Sequence, residues 1–307
     1  MRLRLILLLV VLLPISVLAQ KENVPYVLLL GITQDGGYPH IGCKRKCCQQ
    51  AIIDKSKSRN VIALAIVSPT ENKWWLVEAT PNITEQLQLF SNKTSGKYPY
   101  LPEGIFITHA HMGHYTGLTY LGREALGAKE IPVYVLPKMK SYLETNGPWS
   151  QLVQLKNISI HQLAAEKSEI ISPFVSVTPI LVPHRDEYSE TAGFTIKAGQ
   201  KNYLFIPDIN KWSIFNKDIV EEVKKADIAF LDATFFSAEE LAYRNITEVP
   251  HPFVLETLDL FRNAGAAIKQ KIVLIHFNHT NPLLSDPKKI QSFKKEGVRI
   301  GVQAAAY

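Results

Sequence analysis

The chain has 307 residues, 46% of them hydrophobic and 20% charged, which is the composition of a soluble globular protein rather than a disordered one. Its formal charge of +6 is thinly spread. The tightest basic cluster, Lys44 to Lys46, reads as a solvated loop, so no nucleic-acid partner is expected.

Residues 1–19 stand apart from the rest. Arg2 and Arg4 precede an apolar run from Leu5 to Leu13, followed by Pro14 and the small residues before Gln20. That is the pattern of a signal peptide cleaved after Ala19, and the run is shorter than the roughly 20 apolar residues of a membrane-spanning helix. The expectation is an exported protein, periplasmic or secreted, with no membrane attachment after cleavage. Loss of Arg2 and Arg4 leaves a surplus of +4, mild enough to favour a small anionic substrate and nothing larger.

Residues 20–307 read as a single domain. Apolar β-rich runs recur at 26–32, 61–67, 74–77, 105–108, 133–136, 174–182, 203–206, 228–231 and 272–276. Helical patterns fall between them at 86–90, 219–225, 239–243, 253–262 and 288–295. Interleaving of this kind predicts sheets covered by helices. All three cysteines, Cys43, Cys47 and Cys48, lie in one short segment. Three cannot all pair with one another and adjacent cysteines pair poorly, so either two pair or the cluster binds a metal as thiolates.

His109, His111 and His114 are three of the nine histidines and lie within six residues, directly after an apolar strand pattern. In extended chain, residues two apart share a side, so His109 and His111 present their rings together, and His114 returns to the same space after a turn. Neutral imidazole is a good zinc ligand, and packing does not explain three of them at a strand end. Asp35, His184, Asp208, Asp232 and His276 also stand at or just past the ends of apolar runs, where loops of mixed folds converge on one crevice.

The order of His109, His111 and His114, then His184, Asp208 and His276, resembles the metallo-β-lactamase superfamily over about residues 25 to 300. The segments 184–194 and 276–284 look like its PQQ-synthesis protein B branch. Asp232, His251 and His276 look like its tRNase Z and cyclic phosphodiesterase branch. The resemblance implies an α+β fold, the four-layer αββα sandwich, holding one or two divalent metal ions, with zinc expected. It makes His109, His111 and His184 the ligands of one metal and His114 and His276 those of a second, with Asp208 bridging. Glu78 matches an acid that steadies the histidine loop. The cysteines, with His279, match in part a structural zinc site of the same branches; free thiols or a disulfide between Cys43 and Cys48 are the alternatives.

Gly113 departs from the signature, which has an aspartate there that binds the second metal. Site two then keeps at most His114, Asp208 and His276, and is weaker or differently filled. The implied activity is hydrolysis of a phosphodiester or related ester through a metal-bound hydroxide. Asp208 would orient the nucleophile, and His251, partnered by Asp232, would protonate the departing oxygen. β-Lactam hydrolysis is disfavoured, since many true β-lactamases of the superfamily carry a cysteine where Asp208 stands. The alternative is an accessory or binding protein like PQQ-synthesis protein B, with weak or no hydrolase activity.

Overall fold

A computed structural model describes residues 23–241 and 249–307. The segment expected to be a signal peptide, residues 1–19, lies outside the described residues. Among those described, no helix is long and apolar enough to cross a membrane.

Among the described residues, thirteen strands build two sheets. The first has six strands in chain order: β1 (Tyr26–Gly31), β2 (Ala63–Ser68), β3 (Lys73–Val77), β4 (Ile105–Phe106), β5 (Ile131–Val135) and β6 (Ile158–Gln162). The second has seven: β7 (Glu169–Ser172), β8 (Val175–Leu181), β9 (Ala192–Ala198), β10 (Lys201–Ile206), β11 (Ile228–Asp232), β12 (Ile272–Ile275) and β13 (Arg299–Ile300). Each sheet is antiparallel in one part and parallel in the other: β3 to β6 run parallel, as do β10 to β13.

Every residue of β2, β11 and β12 is buried, as sequences apolar up to the terminal Ser68 and Asp232 require of strands covered on both faces. One core joins the inner faces of the two sheets, through Leu29, Leu64, Val77 and Phe106 on one side and Val177, Phe194 and Phe205 on the other, and extends to the helices behind the second sheet. A second core packs the outer face of the first sheet against helices Ile83–Lys93, Pro137–Thr145 and Trp149–Gln154. The result is the expected αββα sandwich.

Helix Ile219–Lys225 falls where its sequence pattern predicts. Asp218 caps it by accepting from the Val220 and Glu221 amides, and Ile219 and Val223 are its buried residues. The expected helix over 239–243 is instead a short 3₁₀ turn, Ala238–Leu241, beyond which the chain leaves the described residues. Strand β9 was not anticipated. Its Gly193 is hemmed in, since a Cβ there would meet Ile206, the Phe205 carbonyl and Ile180 at 3.0 to 3.2 Å. That glycine interrupts an apolar alternation whose reason is close packing between β8 and β10.

Candidate metal centre

The loops after β1, β3, β4, β8, β10 and β12 meet at one edge of the sandwich. They carry Asp35, Glu78, the three clustered histidines, His184, Asp208 and His276. Parallel strands place their C-terminal loops at a common edge, so residues far apart in sequence gather there. His109 follows the extended Thr108, and its ring centroid lies 4.5 Å from that of His111 and 4.2 Å from that of His114, on helix Met112–Tyr115. His184 joins them at 4.8 Å from His111, and His276 at 5.6 Å from His114.

Ligand atoms of His109, His111, His184 and Asp208 all lie within 4.8 Å of one another, and so do those of Asp35, His114 and His276. The Asp208 carboxylate stands between the two sets, with Oδ1 3.3 Å from His184 Nε2 and Oδ2 3.7 Å from His114 Nε2 and 3.9 Å from His276 Nε2. All six metal-site residues expected from sequence are therefore brought together. His109 Nε2, His114 Nε2, His276 Nε2, Asp208 Oδ1 and Asp35 Oδ1 are buried without a hydrogen-bond partner. Buried polar atoms are rarely left so, and five orphaned donor atoms of metal-ligand type in one space fit a divalent ion.

The opposite nitrogen of each ring is held by an oxygen. Thr108 Oγ1 donates to Glu78 Oε1 at 2.6 Å and meets His109 Nδ1 at 2.9 Å, while His114 Nδ1 lies 3.1 Å from the same Glu78 oxygen. Asn210 Oδ1 receives His184 Nδ1 at 3.0 Å, Thr234 Oγ1 receives His276 Nδ1 at 2.8 Å, and Glu187 receives His111 Nε2 at 2.9 Å. Such partners fix the tautomer and aim the remaining lone pair at the metal. Of these holders, sequence reading reached only Glu78. Thr108 and Glu187 sit beside the motif histidines and Thr234 two residues past Asp232, so proximity to a ligand was the available signal. Glu78 and His276 have φ of +76° and +63°, a region uncommon for residues other than glycine, and both serve the centre.

Charge follows the same layout. Burial and the neighbouring His114 hold His109 well below the usual histidine range, which favours the neutral ring that metal binding requires. Burial also opposes charge on His114, yet Glu78 and Asp35 outweigh it and raise its pKa. Burial would raise the Asp208 carboxyl, but His184, His251 and His276 hold it well below the carboxylate range.

Asp232 and His251 join the same cavity. Asp232 is fully buried; its Oδ1 accepts from the Thr234 amide and hydroxyl, and its Oδ2 accepts from the Ile209 amide and lies 2.9 Å from His251 Nδ1. Against the opposing cost of burial, Asp232 and Asp208 raise His251 to about 9. With Nδ1 taken by Asp232, Nε2 is the nitrogen left to give or take a proton.

Cys43, Cys47, Cys48 and His279 form a separate cluster whose ligand atoms also lie within 4.8 Å of one another. The cysteines are free, Cys43 Sγ stands 3.9 Å from Cys47 Sγ, and His279 Nδ1 is buried without a partner. Burial pushes the Cys48 thiol up to about 12 and lowers His279 to about 4. Three sulfurs and one imidazole make the donor set of a closed structural zinc site.

Beside the three ligands expected of site two, His114, Asp208 and His276, stands a further carboxylate, Asp35, grouped with His114 and His276. Gly113 does not leave an empty place. A Cβ on it would lie 2.0 Å from Asp35 Oδ1, and this glycine is not among those with positive φ. Glycine stands at 113 because the Asp35 carboxylate occupies the adjoining space.

A family model of the beta-lactamase superfamily domain matches residues 73–277. Coenzyme PQQ synthesis protein B of Methylococcus capsulatus is 24% identical over 309 residues, covering 89% of this chain and 96% of that protein. Among solved structures, Zn(2+)-bound PqqB from Methylobacterium extorquens superposes with a TM-score of 0.73 at 21% identity, over 92% of this chain and 99% of that one. A diphosphatase of the PhnP family superposes with a TM-score of 0.64 at 18% identity, over 92% and 96%.

Proposed function

The chain belongs to the beta-lactamase superfamily, and on that premise we propose that it is a metal-dependent hydrolase of a phosphodiester or related ester. One observation carries the reading: the Asp208 carboxylate stands between two groups of ligand atoms, several of them buried without a hydrogen bond, and His251 stands on Asp232 beside them. Imidazoles and carboxylates in this proportion suit zinc. When bound, the metal supplies Lewis acidity, lowering the pKa of water and polarising the ester. Asp208 holds both ligand sets in register. His251 gives a proton to the departing oxygen, and Asp232 keeps its ring oriented and charged. Arg185, exposed and 3.5 Å from His111, offers a small anionic ester a cation at the rim.

Elemental analysis of protein made in metal-replete medium, beside hydrolysis of bis(p-nitrophenyl) phosphate, tests the reading. Metal content with metal-dependent turnover is the expected result; a protein that holds no transition metal overturns it. The names of the relatives favour a second reading, an accessory protein like PQQ synthesis protein B. Full metal occupancy without turnover on any phosphoester would support that one. We further propose that the mature protein acts outside the cytoplasm after cleavage near Ala19, which N-terminal sequencing of the protein recovered from its native host tests.

A further inference from the structure

We propose that Asp35 is the carboxylate ligand of the second metal, supplied from the loop after β1 in place of the side chain that Gly113 lacks. The inference rests on the reading of this centre as a metal site and names a ligand that the sequence signature does not contain.

Three observations converge on it. The first is steric exclusion: a Cβ at Gly113 would stand 2.0 Å from Asp35 Oδ1 and 2.7 Å from Asp35 Cα. Side chains at both positions cannot share the space, so a carboxylate arrives there from one segment or from the other. The second is the orphaned atom. Asp35 Oδ1 is buried, accepts no hydrogen bond, and lies 3.4 Å from His114 Nε2, in one ligand-sized group with His114 and His276. A buried carboxylate oxygen without a hydrogen bond is costly, and a metal cation shared with His114 and His276 would offset it.

The third is the anchoring of the loop. The Phe277 amide donates to Ile32 O at 2.9 Å and the Gln34 amide to Phe277 O at 3.0 Å, so the backbone on the N-terminal side of Asp35 is zipped to the residue after His276. Thr33 bridges Val61 and Phe277 in parallel fashion, and the Gly37 amide closes a turn onto Gln34 O at 2.8 Å. Asp35 and His276 are thus held side by side by backbone pairing, the support a ligand needs to keep its geometry. With Asp35 counted, the residues that would hold the second ion are His114, His276 and Asp35, with the Asp208 carboxylate beside them.

Metal stoichiometry and affinity, read by elemental analysis and chelator competition, test the assignment without recourse to turnover. The cysteine cluster is unchanged in every variant, so differences between variants report the histidine centre. Wild type is expected to hold two ions there. Asp35→Ala and the nearly isosteric Asp35→Asn should each weaken the second ion by at least about tenfold while keeping the first, since even the loss of an outer hydrogen-bonding partner costs about 10–100-fold. Gly113→Asp alone should disturb the site by collision, and Asp35→Gly combined with Gly113→Asp should restore the second ion. Wild-type affinity for both ions in Asp35→Ala and Asp35→Asn would overturn the assignment of Asp35 alone. A wild-type centre that takes up no ion would instead overturn the hydrolase reading beneath it.

Discussion

The Thr234 hydroxyl lies 2.8 Å from Nδ1 of His276 and donates to Oδ1 of Asp232 at 2.6 Å. One side chain therefore connects a candidate metal-ligand histidine to the carboxylate that carries His251. A hydroxyl can do this because it accepts from the imidazole and donates to the carboxylate at once. Thr234→Val keeps the shape and removes both bonds. It should weaken metal binding by about 10–100-fold and lower stability by about 1–3 kcal/mol, with Thr234→Ser restoring most of each. Chelator competition and urea unfolding of the three proteins check it; unchanged metal affinity in the valine variant would contradict the role.

Glu78 has the corresponding place on the other side of the centre. It is fully buried and holds Thr108 and His114 through the same oxygen, Oε1. Glu78→Gln preserves volume but removes the charge facing His114. The expected outcome is a second ion weakened by about 10–100-fold and a first ion less affected, because His109 meets Glu78 only through Thr108. Equal weakening of both ions would mean that the effect travels through the whole loop.

The role proposed for His251 is in the reaction rather than in metal uptake. Loss of a positioned acid typically costs about 10²–10⁴-fold in rate, and the cost falls as the leaving group becomes better able to depart without a proton. His251→Ala should therefore hydrolyse an alkyl ester far more slowly than wild type and a p-nitrophenyl ester only moderately so, with metal content unchanged. A uniform loss across leaving groups would assign His251 to binding instead.

The residues of the centre were legible in sequence because their chemistry is conspicuous. Clustered imidazoles and lone carboxylates at the ends of apolar runs have no packing reason to be there, and the sheet topology brings them to one edge. Asp35 was visible as a strand-end acid, yet its relation to Gly113 was not. That relation is a contact between residues 78 positions apart, in a loop whose residues 32–34 are held by backbone pairing to residues 60–62 and to Phe277. Asn210 and Thr234 escaped for a similar reason: a lone threonine or asparagine is an ordinary loop residue until an imidazole is seen against it. Of the fold, the covered strands β2, β11 and β12 were plain from sequence apolar up to the terminal Ser68 and Asp232. Edge strand β7 and strand β6, half-buried at best beyond their ends, carry too little apolar pattern to announce themselves.

The cysteine cluster should matter for stability and not for turnover. Cys43 lies on the same loop as Asp35, and Cys47 and Cys48 on the helix that follows it, Lys46–Ile53, which raises the question of whether losing the cluster would also loosen the second metal site. The backbone argues against it, because Asp35 is tied to Phe277 through Gln34 and Ile32 and closed by the Gly37 turn, all upstream of Cys43. Replacing the three cysteines by serine removes the sulfur donors around His279 and leaves those ties in place. Structural zinc sites contribute directly to folding free energy, so the variant should melt several degrees lower when zinc is present. Turnover per folded molecule and the ion count of the histidine centre should match wild type. Thermal melts with and without added zinc, beside turnover normalised to folded protein, measure both halves. Lost turnover at an unchanged melting temperature and ion count would place the thiols in the reaction and refute the structural assignment.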